Sequence, residues 1–206
     1  MDRPSTPTEA FRALEEGNAR FVHGRPEHPD QDSARRAELA AGQRPFALIF
    51  GCSDSRVAAE IVFDQGLGDL FVVRTAGHVV DSGVLGSVEF GVAVLGIPLV
   101  VVLGHDSCGA VATTVDAMEH GSLPGGYIRD VVERVIPSVL TGRRTGATGI
   151  DDLVTEHVRH TARLLAERSV VLSDAIEAGT CAVVGLTYRL ADGRARLVDG
   201  VGQLST

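Results

Sequence analysis

Lysine and tryptophan are both absent from the 206 residues, so all 19 basic side chains are arginine. Without lysine there is no Schiff-base nucleophile, no anchor for pyridoxal phosphate and no lysine-bearing phosphate loop. Positive charge is short overall, since 27 acidic residues against 19 basic ones leave a net charge of −8. A general surface for nucleic acid or anionic membrane is therefore not expected. Cysteine is scarce as well, with three residues at irregular spacing. That excludes a disulfide framework and suits a reducing, cytoplasmic setting in which thiols are free for metal or catalysis. The opening residues MDRPSTPTEA hold neither an apolar core nor a basic stretch, so no signal peptide is expected. Only Val84–Gly104 approaches the length of a membrane span, and it carries Glu89 and Pro98. It reads as a buried helix followed by a buried strand, broken at Gly96–Ile97–Pro98, in a soluble protein.

What is present alternates between strand and helix patterns. Thr6-Pro7-Thr8-Glu9 is a capping box with proline at the first helical position, and Phe11, Leu14, Asn18 and Phe21 follow at helical spacing. The apolar face of that helix can lie on its own chain or on a neighbour. His23 to Ser33 reads as a polar loop, and a short helix over 34–41 stops at Gly42. Phe46–Phe50, Leu70–Arg74 and Leu99–Leu103 read as buried strands. Asp81 or Ser82 caps a helix reaching about Leu95; further helices are predicted over 109–120, 126–138 and, as one or two pieces, 151–178. Cys181–Leu190, the turn at Asp192-Gly193 and Arg194–Val198 make a closing hairpin. The expectation is an α/β fold: a mostly parallel sheet of four to five strands flanked by helices, with an antiparallel edge strand near the C-terminus. It should form one domain over 1–206, with an N-terminal helical arm at 6–41.

Two strands end directly in chemistry-bearing residues. Strand one runs into Cys52-Ser53-Asp54-Ser55-Arg56, and the third into Gly104-His105-Asp106-Ser107-Cys108-Gly109. Ligand sites of open α/β sheets lie beyond the carboxyl ends of the strands, where the strand order reverses. If these two strands are neighbours there, Cys52, His105 and Cys108 converge from two loops. Two thiolates and an imidazole suit zinc, and three protein ligands leave a position open, as catalytic sites do. Asp54 can be a fourth ligand or the ion-pair partner of Arg56, and one carboxylate with two competing partners suggests a gate. Taken singly, Cys52–Arg56 also fits a hydrogen-bonded turn with a buried thiol, and H-x-x-C is common by chance. Their shared position after strands favours the metal.

These residues resemble the β-class carbonic anhydrases. Cys52-Ser53-Asp54-Ser55-Arg56 and His105-Asp106-Ser107-Cys108-Gly109 carry the similarity. It extends over roughly 11–138 and includes Gly42-Gln43, Phe71-Val72-Val73-Arg74-Thr75-Ala76-Gly77 and Ser87-Val88-Glu89-Phe90. The resemblance implies one Zn2+ per chain held by Cys52, His105 and Cys108, with zinc-bound hydroxide hydrating carbon dioxide to bicarbonate and a proton. It implies a catalytic Asp54–Arg56 pair, with Asp54 a zinc ligand only in a closed state. Gln43 would hydrogen-bond substrate oxygen, while Phe71, Ala76 and Phe90 would line an apolar pocket across a dimer interface. It further implies a homodimer, often paired into a homotetramer. Two thiolates donate charge, so activity should favour pH above neutral. Phe90 stands where many members carry tyrosine, and the inhibitory bicarbonate pocket built around tryptophan in some members is not expected. Hydrolysis of carbon disulfide or carbonyl sulfide on the same scaffold, and a closed, non-catalytic zinc site, are the rival readings.

Other candidates read as bland. Cys181 should be a core thiol, and His157 and His160, among Glu156, Arg159 and Arg163, should face solvent. His23, His28 and His120 have no partner motif. His78 could approach the mouth of the site as a proton relay. Asp106 and Ser107 could orient the ligands or simply form the turn.

Overall fold

Residues 47–52 are apolar without interruption, and all six side chains are buried in the central part of a five-stranded sheet. The computed structural model describes residues 3–204. The strands are β1 (Ala47–Cys52), β2 (Leu70–Thr75), β3 (Leu99–His105), β4 (Ala182–Tyr188) and β5 (Ala195–Val201). Their order across the sheet is β2-β1-β3-β4-β5. The first four are mutually parallel and β5 is antiparallel to β4, with a register shift at Gly185/Leu186. The order reverses between β1 and β3, so the carboxyl ends of these two strands flank the switch point. The predicted sheet and its antiparallel edge are both present.

The helices are α1 (Pro7–Val22), α2 (Ser33–Leu39), α3 (Ala59–Val62), α4 (Ser82–Glu89, continued by a wider turn to Val94), α5 (Gly109–His120), α6 (Ile128–Arg144), α7 (Ile150–Arg168) and α8 (Val170–Glu177). Alternation along the strands divides the core into layers. Ala47, Ile49, Val101 and Val184 meet Ala10 and Leu14 of α1 and Val62 and Phe63 at the end of α3. On the opposite face Leu48, Phe50, Val100, Val102 and Val183 meet Val84 and Val88 of α4, Val158, Ala162 and Leu165 of α7 and Leu172 of α8. The capped helix α1 thus packs on its own chain. Asn18 pins it there, donating to the Val62 and Gly193 carbonyls and accepting from the Ala195 N–H.

One helix runs longer than the sequence reading, one expected alternative is settled and one short helix is new. Helix α6 runs past Pro137 to Arg144, beyond the expected stop at 138. The burial of Val135, Val139 and Gly142 against neighbouring helices outweighs the one backbone bond that proline removes. The stretch 151–178 divides at Ser169, whose hydroxyl caps α8 by accepting the Leu172 N–H. Helix α3, a single turn, was not foreseen; four residues carry too little periodicity to register. Among the described residues no helix is long and apolar enough to cross a membrane.

Candidate metal centre

Cys52 is the last residue of β1, and His105 is the last of β3. The expectation placed these two on loops; pairing of Cys52 with Thr75 and of His105 with Tyr188 extends the strands to include them. Their positions are thereby fixed by the sheet itself. Cys108 follows one short turn later, at the cap position of α5. One donor atom from each of the three residues lies within 4.8 Å of the others, and all three residues are buried. A third apolar cluster closes behind them, with Val79, Val111, Val135, Val139, Leu153 and Val154 packed around the two cysteines.

The histidine is oriented by its own loop. His105 Nδ1 lies 2.8 Å from the Asp106 carbonyl oxygen, an acceptor, so Nδ1 carries the proton. Nε2 is left as a lone pair, buried and without a hydrogen-bond partner. An orphaned imidazole nitrogen facing two sulfurs fits a soft or borderline divalent ion such as zinc. The side chain of Asp106 ties this loop to the closing hairpin by accepting the Leu190 N–H at 2.8 Å. Ser107, at φ +54°, donates its N–H to Asp151 at 2.9 Å. Gly104, just before the histidine, has room for no side chain: a Cβ would sit 2.4 Å from Val158 Cγ2 and 3.4 Å from the His78 ring.

The two sulfurs share charge unequally. Hydrogen bonding with Cys108 pulls the Cys52 thiol down against its burial, helped by His105 and the Gly77 N–H. Cys108 moves up, because Cys52 leaves it the proton and because it is buried. Burial works against a charged His105, but the Cys52 sulfur and the Asp106 carbonyl outweigh it and raise the imidazole. Metal binding would displace the remaining thiol proton into solvent.

Asp54 lies at the rim. Arg56 donates to it three times, from its backbone N–H to Oδ1 at 2.9 Å, from Nε to Oδ1 at 2.9 Å and from Nη2 to Oδ2 at 2.7 Å. These bonds hold the Asp54 carboxyl well below the usual carboxylate range. Its Oδ2 is 3.7 Å from His105 Nε2. Arg74, to which the sequence reading gave no role, braces the same loop through the Cys52 carbonyl at 2.9 Å and the Asp54 carbonyl at 2.6 Å.

The expected pocket residues are not gathered at this site within one chain. Ala76 is exposed beside it, in the turn after β2. Phe71 pairs with Leu48, four residues down the strands from the Cys52–Thr75 pair, or about 13 Å. Its ring lies 6.3 Å from that of Phe90, which is 46% exposed. Gln43 is exposed on the segment leading to Phe46, whose N–H binds the Asp69 carbonyl just before β2 begins.

Two histidines sit elsewhere than expected. His157 does not face solvent but is buried, its Nδ1 2.8 Å from Ser138 Oγ and its Nε2 2.8 Å from the Gly77 carbonyl. The charged neighbours Glu156 and Arg159 pair with each other at 3.7 Å and are only partly exposed; spacing with Leu153, Val154, Val158 and Thr161 was the signal for the buried face. His78 is likewise buried rather than at the mouth, and neither ring nitrogen has a hydrogen-bond partner. Burial, then the neighbouring His157 and His105, keeps it neutral far below its ordinary range. Cys181 is a core thiol as expected, its pKa pushed up to about 12 by burial. His160 is half-buried.

A mostly parallel sheet with a buried Cys-His-Cys cluster at its switch point makes this an α/β protein with a group that could hold a metal. Residues 47–195 match the family described as "Carbonic anhydrase". The chain belongs to that family, in its β class, and its enzyme class is carbonate dehydratase. It is 61% identical over 202 residues to "Carbonic anhydrase 2" of Mycobacterium tuberculosis, covering 98% of each chain. To "Carbonic anhydrase" of Mycolicibacterium smegmatis it is 56% identical over 200 residues, covering 97% of each. Among solved structures, a tetrameric β-carbonic anhydrase from Sordaria macrospora shares the fold at TM-score 0.73 and 22% identity, over 92% of this chain and 97% of that one. Hydration of carbon dioxide is the general reaction of the family.

Proposed function

We propose that this chain converts carbon dioxide and water reversibly to bicarbonate and a proton, at one zinc ion per chain held by Cys52, His105 and Cys108. The observation that carries this reading is the convergence of three buried donors within 4.8 Å, one of them an unbonded imidazole nitrogen. Zinc supplies Lewis acidity there, bringing the pKa of a coordinated water from about 15.7 toward about 7. The remaining work falls to the chain. Asp54 is kept ionised by Arg56, so it acts as a fixed acceptor that orients the nucleophile and does not carry the released proton. That proton leaves to solvent or buffer.

Asp54 and Arg56 also form the gate. Held by Arg56, Asp54 would leave a metal on Cys52, His105 and Cys108 accessible; released from Arg56, its carboxylate would compete for that metal and stop turnover. The short reach of Oδ2 to the histidine side of the cluster, 3.7 Å from Nε2, supports this reading.

Carbon dioxide is apolar and neutral, so it needs a small apolar pocket rather than a charged clamp. Phe71, Phe90 and Gln43 lie away from their own chain's cysteines, which supports a homodimer in which a second copy brings them over the metal beside Ala76. Exposed Phe90 and Val94, 46% and 65% accessible, give the dimer an apolar surface. The tetrameric fold neighbour supports a pairing of dimers. The chain acts as one domain over 1–206 with its helical arm at 6–41, in the cytoplasm.

The test is metal removal and return. The purified chain should hold about one zinc and hydrate carbon dioxide, lose the activity on chelation and regain it with zinc alone. Hydration that survives complete chelation would overturn the reading.

A further inference from the structure

Behind the cluster a chain of hydrogen bonds crosses three elements that are distant in sequence. Ser138 on α6 meets His157 on α7 at 2.8 Å, and His157 meets the Gly77 carbonyl at 2.8 Å. Gly77 in turn donates its N–H to Cys52 Sγ at 3.3 Å. From this geometry we infer that His157, backed by Ser138, is a positioning residue for the metal centre: through Gly77 it fixes the hydrogen bond given to the Cys52 sulfur. The inference rests on the zinc reading above.

The direction of each bond follows from chemistry. A carbonyl oxygen only accepts, so His157 Nε2 must carry the proton it gives to Gly77. Nδ1 is then a bare acceptor, and the Ser138 hydroxyl donates to it. All three members of the relay, Ser138, His157 and Gly77, are buried. Nothing in this arrangement requires His157 to be charged, and its burial keeps it neutral.

Gly77 explains why an anchor matters. It sits at φ +64°, and a Cβ there would lie 2.6 Å from Ala110 Cβ. The position therefore demands glycine, whose backbone is the most permissive of any residue. Left unanchored, its N–H can rotate off the sulfur. The carbonyl bond from His157 removes that freedom. His78, adjacent in sequence, stacks on His157 with ring centroids 4.4 Å apart and fills the space beside it without a hydrogen bond of its own.

An N–H bond to a thiolate spreads its charge, keeps it deprotonated near neutral pH and fixes its direction, so its loss weakens metal binding. Partners of this kind typically change metal affinity by about 10- to 100-fold. The inference is tested on the full-length protein with metal alone, by chelator-competition zinc titration and by cobalt(II) substitution. His157→Leu should raise the zinc dissociation constant by about tenfold. It should also move the cobalt–thiolate charge-transfer band to lower energy, since a sulfur without its hydrogen bond is the more easily ionised donor. His157→Gln should restore both, because its amide N–H can serve Gly77 while its oxygen accepts from Ser138. Ser138→Ala, a smaller change for the fold, should shift both in the same direction and decides the matter if the leucine variant does not fold. Wild-type affinity and band position in His157→Leu, or in Ser138→Ala when that variant decides, would overturn the inference. So would a loss in His157→Leu that His157→Gln shares in full. A wild-type chain that takes up no zinc would overturn the zinc reading and this inference together; unchanged variants on a zinc-loaded wild type would remove this inference alone.

Discussion

Arg56 grips Asp54 edge-on, Nε to Oδ1 at 2.9 Å and Nη2 to Oδ2 at 2.7 Å, while the same Oδ2 stands 3.7 Å from His105 Nε2. The two residues are separated by one position, and Arg74 braces the loop between them from β2 through the Cys52 and Asp54 carbonyls. The carboxylate is thus within a small displacement of the cluster and restrained from it by the side chain and backbone N–H of a single residue.

Arg56→Ala should leave zinc in place and lower carbon dioxide hydration by about 100-fold, because the freed carboxylate would compete with water for the metal. The loss should persist at alkaline pH. Metal analysis beside stopped-flow hydration checks this, and a fully active variant would remove the gate.

Cys52→Ser and Cys108→Ser should each drop zinc from about one per chain to near zero, since a hydroxyl does not replace a thiolate in a three-ligand set. Elemental analysis after gel filtration reads the outcome. Full zinc in either variant would strike that residue from the ligands.

Gly104→Ala should cost about 1–3 kcal/mol in urea denaturation, because the new methyl meets Val158 Cγ2 at 2.4 Å. Strand β3 must shift to admit it, and His105 is the next residue, so zinc affinity should fall as well. A variant with unchanged stability would show that α7 does not press on the strand.

His157 sets a pH dependence of stability. Its pKa is pushed down to about 4 in the folded chain by burial, from 6.5. The unfolded chain therefore binds more protons between these values, so the stability is fully present above about 6.5 and is lost as pH falls toward 4. Up to about 3 kcal/mol is at stake. Denaturation of the metal-free protein at pH 7, 6 and 5 should show a shallower acid decline in His157→Gln than in wild type. Parallel slopes would contradict the assignment.

Much of the fold could be read in advance, because β1 and β3 are buried on both faces and appear as unbroken apolar runs. The proposed ligands stood out for the same reason: Cys52 and His105 close those runs, and Cys108 follows one short turn later. What supports them was not. Gly77 reaches Cys52 across 25 positions, Asp151 reaches Ser107 across 44 and His157 reaches Gly77 across 80. No local spacing encodes such contacts. His157 was misread because its charged neighbours drew attention to the solvent side of α7, while its apolar partners at helical spacing pointed inward. The proposed pocket residues Gln43, Phe71 and Phe90 were named from resemblance alone, since no periodicity in a single chain would assign residues to a second copy's site.

Stopped-flow carbon dioxide hydration by the zinc-quantified protein, from pH 6.5 to 9, tests the central claim most directly. The account predicts activity that rises with pH at about one zinc per chain, since two thiolates hold the water less acidic than an all-imidazole site would. No hydration at any pH with zinc fully bound would contradict it, and would turn attention to sulfur-containing substrates or to a site that Asp54 keeps closed.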